Sequence, residues 1–206
     1  TWEWDGTDWT QRSISGPSAR SDNNMAYDEG RGRIVMYGGY NGTTLADTWS
    51  LAPGAVGVSW TPMFVQGSAG PRQSHAMAFD ANRGKTVMFG GYVNGNGNAD
   101  TWEWDGSAWA RITITTPPPT RFSHDLVYHP SQKLVFVTGG YISTSNLTED
   151  TLTFNGSTWA VQASTLPLFT HTATAYDAMR DQLVVFGASY DSNTASYTSE
   201  TWVYGL

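Results

Sequence analysis

Four short stretches carry nearly uninterrupted runs of apolar side chains: Arg33–Tyr37, Thr86–Phe89, Leu134–Val137 and Leu183–Phe186. Each is too short for a helix of ordinary length and is closed by glycine, as expected of a strand buried on both faces. A small-residue segment precedes each run, as in His75–Asp80, and predicts a strand packed close to its neighbours. Beyond each run the pattern changes to strict alternation, as in Trp102 and Trp104 against Glu103 and Asp105. That alternation reads as a strand with unlike faces. Asp105-Gly106 and Asn155-Gly156 then give hairpin turns. A last strand carries one Trp. The polar intervals are rich in Gly, Asn and Thr, so the elements are strands a to d, repeated.

The repetition is explicit. RIVMYGGY (33–40) returns as KTVMFGGY (85–92), KLVFVTGGY (133–141) and QLVVFGASY (182–190). DTWSL (47–51) returns as DTWEWDG (100–106), DTLTFNG (150–156) and ETWVYG (200–205). Trp9, Trp60, Trp109 and Trp159 recur about 50 residues apart, a spacing found in propeller blades. The units run approximately 1–15 (partial), 16–66, 67–115, 116–163 and 164–206, the last lacking its final strand. Four antiparallel strands per unit, arranged radially, leave only short edges. The fold class expected is all-β, a β-propeller with about four blades.

The double glycine after an apolar strand, the D-T-W strand and the single Trp about seven residues beyond it resemble the kelch repeat. The TWEWDG…W variant resembles kelch repeats of exported bacterial proteins, which implies an extracellular or cell-surface setting. The resemblance also implies a ring of six or seven blades. Two readings of the terminal half-units stand. The sequence is a segment of a longer array, or chains associate to complete a ring. A four-bladed ring closed by Trp9 beside Glu200–Gly205 is a further arrangement. Departures occur at Gly187-Ala188, at Leu152 in a Trp position, and in the longer connection Ala52–Ser59.

Composition narrows the function. Lys+Arg 11 against Asp+Glu 18 gives a net charge of −7, unlike the basic stripe of a nucleic-acid binder. Apolar runs are strand-sized, so no membrane insertion by a helix is expected. Cys 0 excludes disulfides, thiolate nucleophiles and Cys-ligated metals. HExxH, Gly-x-Ser-x-Gly and the phosphate-binding loop are absent. The carboxylate pairs Glu3/Asp5 and Glu103/Asp105 sit at i, i+2, within glycosidase range, but their aspartates are turn formers. No catalytic residue, cofactor or metal is expected.

Topology places the start of a, the end of b, the start of c and the end of d on one face. That face gathers Arg72 and His75, Arg121 and His124, the partial copies Arg20/Asn23 and Leu168/His171, and the tyrosines Tyr40, Tyr92, Tyr141 and Tyr190. These tyrosines, Arg72, Arg121, His75, His124 and His171 are the candidate ligand-binding residues. Three His near the axis also fit a metal site in outline. Asp47, Asp100, Asp150 and Glu200, once per unit, suit structural hydrogen bonds to the arginines. Trp9, Trp60, Trp109 and Trp159 suit packing between blades. The connections 41–46, 93–99, 142–149 and 191–199 differ in length on a constant scaffold, where specificity normally sits. The expected function is a non-enzymatic binding or scaffold propeller for a protein or glycan. The alternatives are a block that self-associates through its terminal strands, and a glycan-active or metal-dependent enzyme. Three Asn-x-Ser/Thr sequons begin at Asn41, Asn146 and Asn155.

Overall fold

The apolar runs form the second strand of each of the four large sheets, and those of the second and third blades are covered by a blade on either side. The computed structural model describes residues 1–54, 57–143, 146–162, 169–191 and 196–204, and the side chains of these except 169, 170, 189–191, 196 and 197. All of its regular elements are strands. A leading hairpin pairs β1 (Trp2–Trp4) with β2 (Trp9–Gln11). The first full blade orders β3 (Asn24–Asp28), β4 (Arg33–Tyr37), β5 (Thr48–Pro53) and β6 (Val58–Met63). The second uses β7 (Ala76–Asp80), β8 (Lys85–Phe89), β11 (Thr101–Trp104) and β12 (Trp109–Ile112). The third uses β13 (Asp125–His129), β14 (Leu134–Thr138), β17 (Thr151–Phe154) and β18 (Trp159–Gln162). A three-stranded sheet follows: β19 (Phe169–Asp177), β20 (Gln182–Asp191) and β21 (Ser196–Tyr204). All pairs within these sheets are antiparallel, in a propeller arrangement.

Two expectations need correction. The segment beginning at Trp9 pairs with Trp2–Trp4 and not with β21, so the closure beside Glu200 is not formed. Two connections expected as loops contain small hairpins, β9 (Tyr92–Val93) with β10 (Asn96–Gly97), and β15 (Tyr141–Ser143) with β16 (Asn146–Leu147). Asn94-Gly95 supplies the positive backbone angles for the first.

The core lies in the seams between blades. Val87 and Phe89 of β8 meet Leu126, Val137, Leu152 and Phe154 of the third blade. Met88, on the opposite side of β8, meets Val35 and Tyr37 of the first. Phe136 of β14 turns the other way, onto Leu183, Val185 and Tyr204. Alternation along one strand therefore fills two seams, which is why the run is apolar throughout.

Polar ties repeat with the seams. The Trp of the fourth strand donates its indole N–H to the Thr opening the third strand of the unit before. Trp60 reaches Thr1 at 2.9 Å, Trp109 reaches Thr48 at 3.0 Å and Trp159 reaches Thr101 at 2.9 Å. Near the first turn of the first and second blades an arginine adds to this: Arg31 holds Asp28 and extends to the Asp105 carbonyl of the next blade. Arg83 holds Asp80 and Glu103, and its guanidinium carbon lies 5.3 Å from the centre of the Phe154 ring.

The third seam is built differently. Asp125 accepts the Thr174 backbone N–H at 2.5 Å and that of Leu126 at 2.9 Å. Thr138 and Thr174 share a hydroxyl hydrogen bond of 2.7 Å beside it. Burial pushes the Asp125 carboxyl up to about 6, against these N–H donors.

Two outcomes follow from the seams. Thr48→Val leaves the buried Trp109 indole N–H without an acceptor and costs about 1–3 kcal/mol in urea denaturation, whereas Thr48→Ser retains most of the stability. Asp125, with its raised value, favours the fold while protonated. That contribution is full below about 3.8, the ordinary carboxyl value, and is lost as pH rises through about 6. The loss is on the order of 3 kcal/mol by neutral pH. Asp125→Asn is therefore expected to exceed the parent in stability at pH 7, with a difference that shrinks toward pH 4. A pH-independent difference in unfolding midpoints would contradict this origin.

Candidate functional site

The face carrying the start of a and the end of b is held together by backbone contact between successive units. Gly39 N–H donates to the Arg72 carbonyl at 2.9 Å, and Gly91 N–H to the Arg121 carbonyl at 2.8 Å. A Cβ on Gly38 would come within 2.5 Å of the Arg72 oxygen, and Gly38 has φ +60°. The double glycine is thus fixed by close approach and by backbone angle together. Around the axis, Ser74 N–H donates to the Asp22 carbonyl and Ser123 N–H to the Ser74 carbonyl, both at 2.8 Å. Asp22, Ser74 and Ser123 all have φ +54°.

The recurring arginines lie inside this framework. Arg20 binds Asp47 through two nitrogens at 2.6 and 2.9 Å, and Arg72 binds Asp100 at 2.7 and 3.1 Å. Arg121 binds the Asp150 carboxylate at 2.5 Å and its carbonyl at 3.2 Å. Each also donates to the carbonyl of the first glycine of its pair. The acid is shared with the D-T-W indole: Trp49 donates to Asp47 at 2.6 Å and Trp102 to Asp100 at 2.8 Å. Leu152 cannot do this, and the Thr148 hydroxyl takes its place on Asp150. Burial opposes ionisation of Asp47, but its hydrogen bonds from Arg20 and Trp49 outweigh burial and hold it below the usual carboxylate range. Glu200, whose unit has Leu168 in place of Arg, accepts from Trp202 at 2.8 Å and from the Thr198 hydroxyl. Leu168 lies outside the described residues.

Arg72 and Arg121, expected as ligand contacts, are almost completely buried in these ion pairs. His75 and His124 are also enclosed. The His75 ring meets Tyr37 edge-on at 5.8 Å, and His124 meets Phe89 at 5.5 Å. Their ring nitrogens are buried without a hydrogen-bond partner. Desolvation first, then the Arg72 charge, pushes His75 down to about 3. Desolvation, Arg121 and His75 hold His124 well below its ordinary value. Both imidazoles are neutral wedges between blades at physiological pH. His171 is exposed, and its ring meets Tyr141 at 6.3 Å. No cluster of three metal-ligating side chains is found among the described residues.

Two adjoining cavities open on this face. One, of about 240 Å³ at the axis, is lined by Asp22, Asn24, Ser74, Ser123 and the three histidines, among others. The other, of about 320 Å³, is lined by Gln73, Ser74, Tyr92, Phe122, Ser123 and Tyr141. Ser74 and Ser123 belong to both. Tyr92 meets Phe122 edge-on at 5.3 Å, and Phe122 stacks on Tyr141 at 5.5 Å and 16°. All three rings are half-buried. Backbone bridges Gln73–Tyr92 and Phe122–Tyr141 fix the tyrosines beside the Arg-x-x-His segments. Tyr40 makes the matching bridge to Ser21 and is 44% exposed, but it lines neither cavity. The Tyr190 side chain lies outside the described ones. Phe122 and Gln73 escaped the sequence reading. They occupy the variable position after Arg, where no repeat pattern marks them.

The remaining candidate chemistry is structural in geometry. Asp105 accepts from the Ser107 hydroxyl and from the backbone N–H groups of Ala108 and Ser107, which bring it down to about 2. Its partner Glu103 is bound to Arg83 in an ion pair. Ser131, His129 and Asp181 also meet, but Ser131 donates to Asp181 at 2.9 Å and contacts His129 Nδ1 at 3.2 Å. The imidazole does not stand between hydroxyl and carboxylate, as a relay requires. Trp109 is buried in the seam of the first and second blades, Trp159 packs on Phe89 and Phe154, and Trp60 is half-buried. Trp9 is 59% exposed and packs on Trp4.

Known proteins share this architecture. The chain is similar to Mei4-dependent protein 6 of Schizosaccharomyces pombe (strain 972 / ATCC 24843), at 28% identity over 142 residues. That match covers 62% of this chain and 20% of the relative, so the chain spans about a fifth of the relative's length. The solved structure of YjhT superposes with a TM-score of 0.66 at 14% identity, covering 90% of this chain and 66% of that one. At that identity the likeness shows the fold. Residues 2–163 match the KLHDC2/KLHL20/DRC7 Kelch-repeats domain. With the double glycines, the Arg–acid pairs and the radial sheets in place, the chain belongs to this kelch-repeat family.

Proposed function

We propose that the protein is a non-enzymatic recognition module that binds a protein or glycan on the face bearing the two cavities. One observation carries this reading: the Tyr92–Phe122–Tyr141 ladder stands half-exposed in a cavity, on a framework whose charged groups are already paired. Aromatic rings beside hydroxyl and amide groups suit a ligand with apolar and polar parts. Kelch propellers typically bind proteins, which supports the same role. A second reading, self-association, is favoured by Trp2 and Trp4, exposed at 59% and 52%, while the repeat-equivalent Trp104 is buried.

The first reading is tested with labelled protein on peptide and glycan arrays. Tyr92→Ala and Tyr141→Ala are expected to abolish the signal on the probes that bind the parent. Each costs about 1 kcal/mol of ring contact and shifts the melting midpoint by roughly 2–4 °C. A much larger melting loss would make the rings seam padding. Self-association predicts a dimer or larger species by native mass, lost in Trp9→Ala. A monomer at high concentration would count against it.

A further inference from the structure

Building on that binding role, we infer that the aromatic cavity receives a cationic group, such as the Lys or Arg side chain of a basic peptide segment. The first support is charge. The face owns three recurring arginines, and Arg20, Arg72 and Arg121 are each bound to a carboxylate. No lysine or arginine lines either cavity. The buried imidazoles of His75 and His124 are neutral and add no positive charge.

Acids remain available. Asp22 is exposed on the wall of the adjoining cavity, and Glu149 is exposed beside Asp150 at the end of the connection after Tyr141. Asp47 and Asp150 keep 39% and 26% of their side-chain surface while paired. The overall charge of −7 adds to the same field.

Hydrogen bonding points the same way, independently of charge. Gln73 lines the aromatic cavity, and its side-chain oxygen is buried with no donor. A buried acceptor in that state favours a ligand that brings N–H groups. Ammonium and guanidinium groups are donors only, and a carboxylate brings acceptors only. The faces of Tyr92, Phe122 and Tyr141 offer the ring quadrupole that attracts such cations. A carboxylate in this position would meet ring faces and an unpaired carbonyl oxygen.

The experiment titrates the whole chain with three acetylated, amidated peptides differing only at two central positions: both Arg, both Gln or both Glu. A neutral oligosaccharide serves as a fourth probe. The Arg peptide is expected to bind about ten-fold or more tighter than the Gln peptide, with the Glu peptide weakest. This advantage should shrink as salt rises from about 0.05 to 0.5 M. Tyr141→Leu and Glu149→Gln should each weaken the Arg peptide several-fold. Glu149 is exposed, so its variant tests the idea without threatening the fold. Equal or better binding of the Gln or Glu peptide would overturn the inference. So would Arg-peptide binding unchanged in both variants. Tyr141-dependent binding of the oligosaccharide alone would leave the binding role standing and remove the cation. If no probe depends on Tyr141, both fall.

Discussion

The backbone of each Arg-x-x-His segment lies directly against the double glycine of the unit before it, and the rest of the structure depends on that approach. It sets the spacing of neighbouring blades near the axis. It aligns Gly39 N–H with the Arg72 carbonyl and Gly91 N–H with that of Arg121. It also encloses the arginines, which then need carboxylates, and those come from the aspartate just before the third strand of the same unit. A buried cation without its partner would be costly, so glycines, arginine and acid act as one device. The indole–threonine tie and the apolar seams then fasten the outer part of each blade at the same spacing.

The fourth unit shows what happens when the device is incomplete. Ala188 stands where the second glycine would be, and a side chain disfavours the left-handed backbone angles found at Gly39, Gly91 and Gly140. β20 therefore runs straight through to Asp191, and its partners lengthen with it to nine residues each. The Arg is also missing from this unit, and Glu200 is satisfied by Trp202 and Thr198 instead. The seam it forms with the third blade relies on threonine hydroxyls and on the Asp125 carboxyl, which accepts the Thr174 backbone N–H. The expected loop 191–199 is in part strand for this reason, with residues 192–195 outside the described ones.

Repetition made the fold legible. Period, strand order and the shared face all follow from blocks that recur, and the apolar run of strand b carries its burial on both sides in its composition. The candidate site was legible only in part. Tyr92 and Tyr141 are visible because they repeat. His75 and Arg72 repeat too, yet repetition cannot tell a framework side chain from an exposed one, and both lie in the framework. Phe122 was invisible for the opposite reason, since its counterparts are Ser21 and Gln73. Its importance comes from the cross-strand neighbour Tyr141, a relation set by the bridge after the glycines. Non-repeating residues at repeating positions are where such a chain hides its individuality.

That bridge is made by peptide groups alone. The position after the arginine is held in place whether it carries a hydroxymethyl, a carboxamide or a phenyl ring, as Ser21, Gln73 and Phe122 demonstrate. The pairing that fixes this position and the side chain it presents are thereby independent of one another. Three side chains of different size and polarity thus stand on one and the same peptide pairing, and the surface of this face differs from blade to blade over a common architecture.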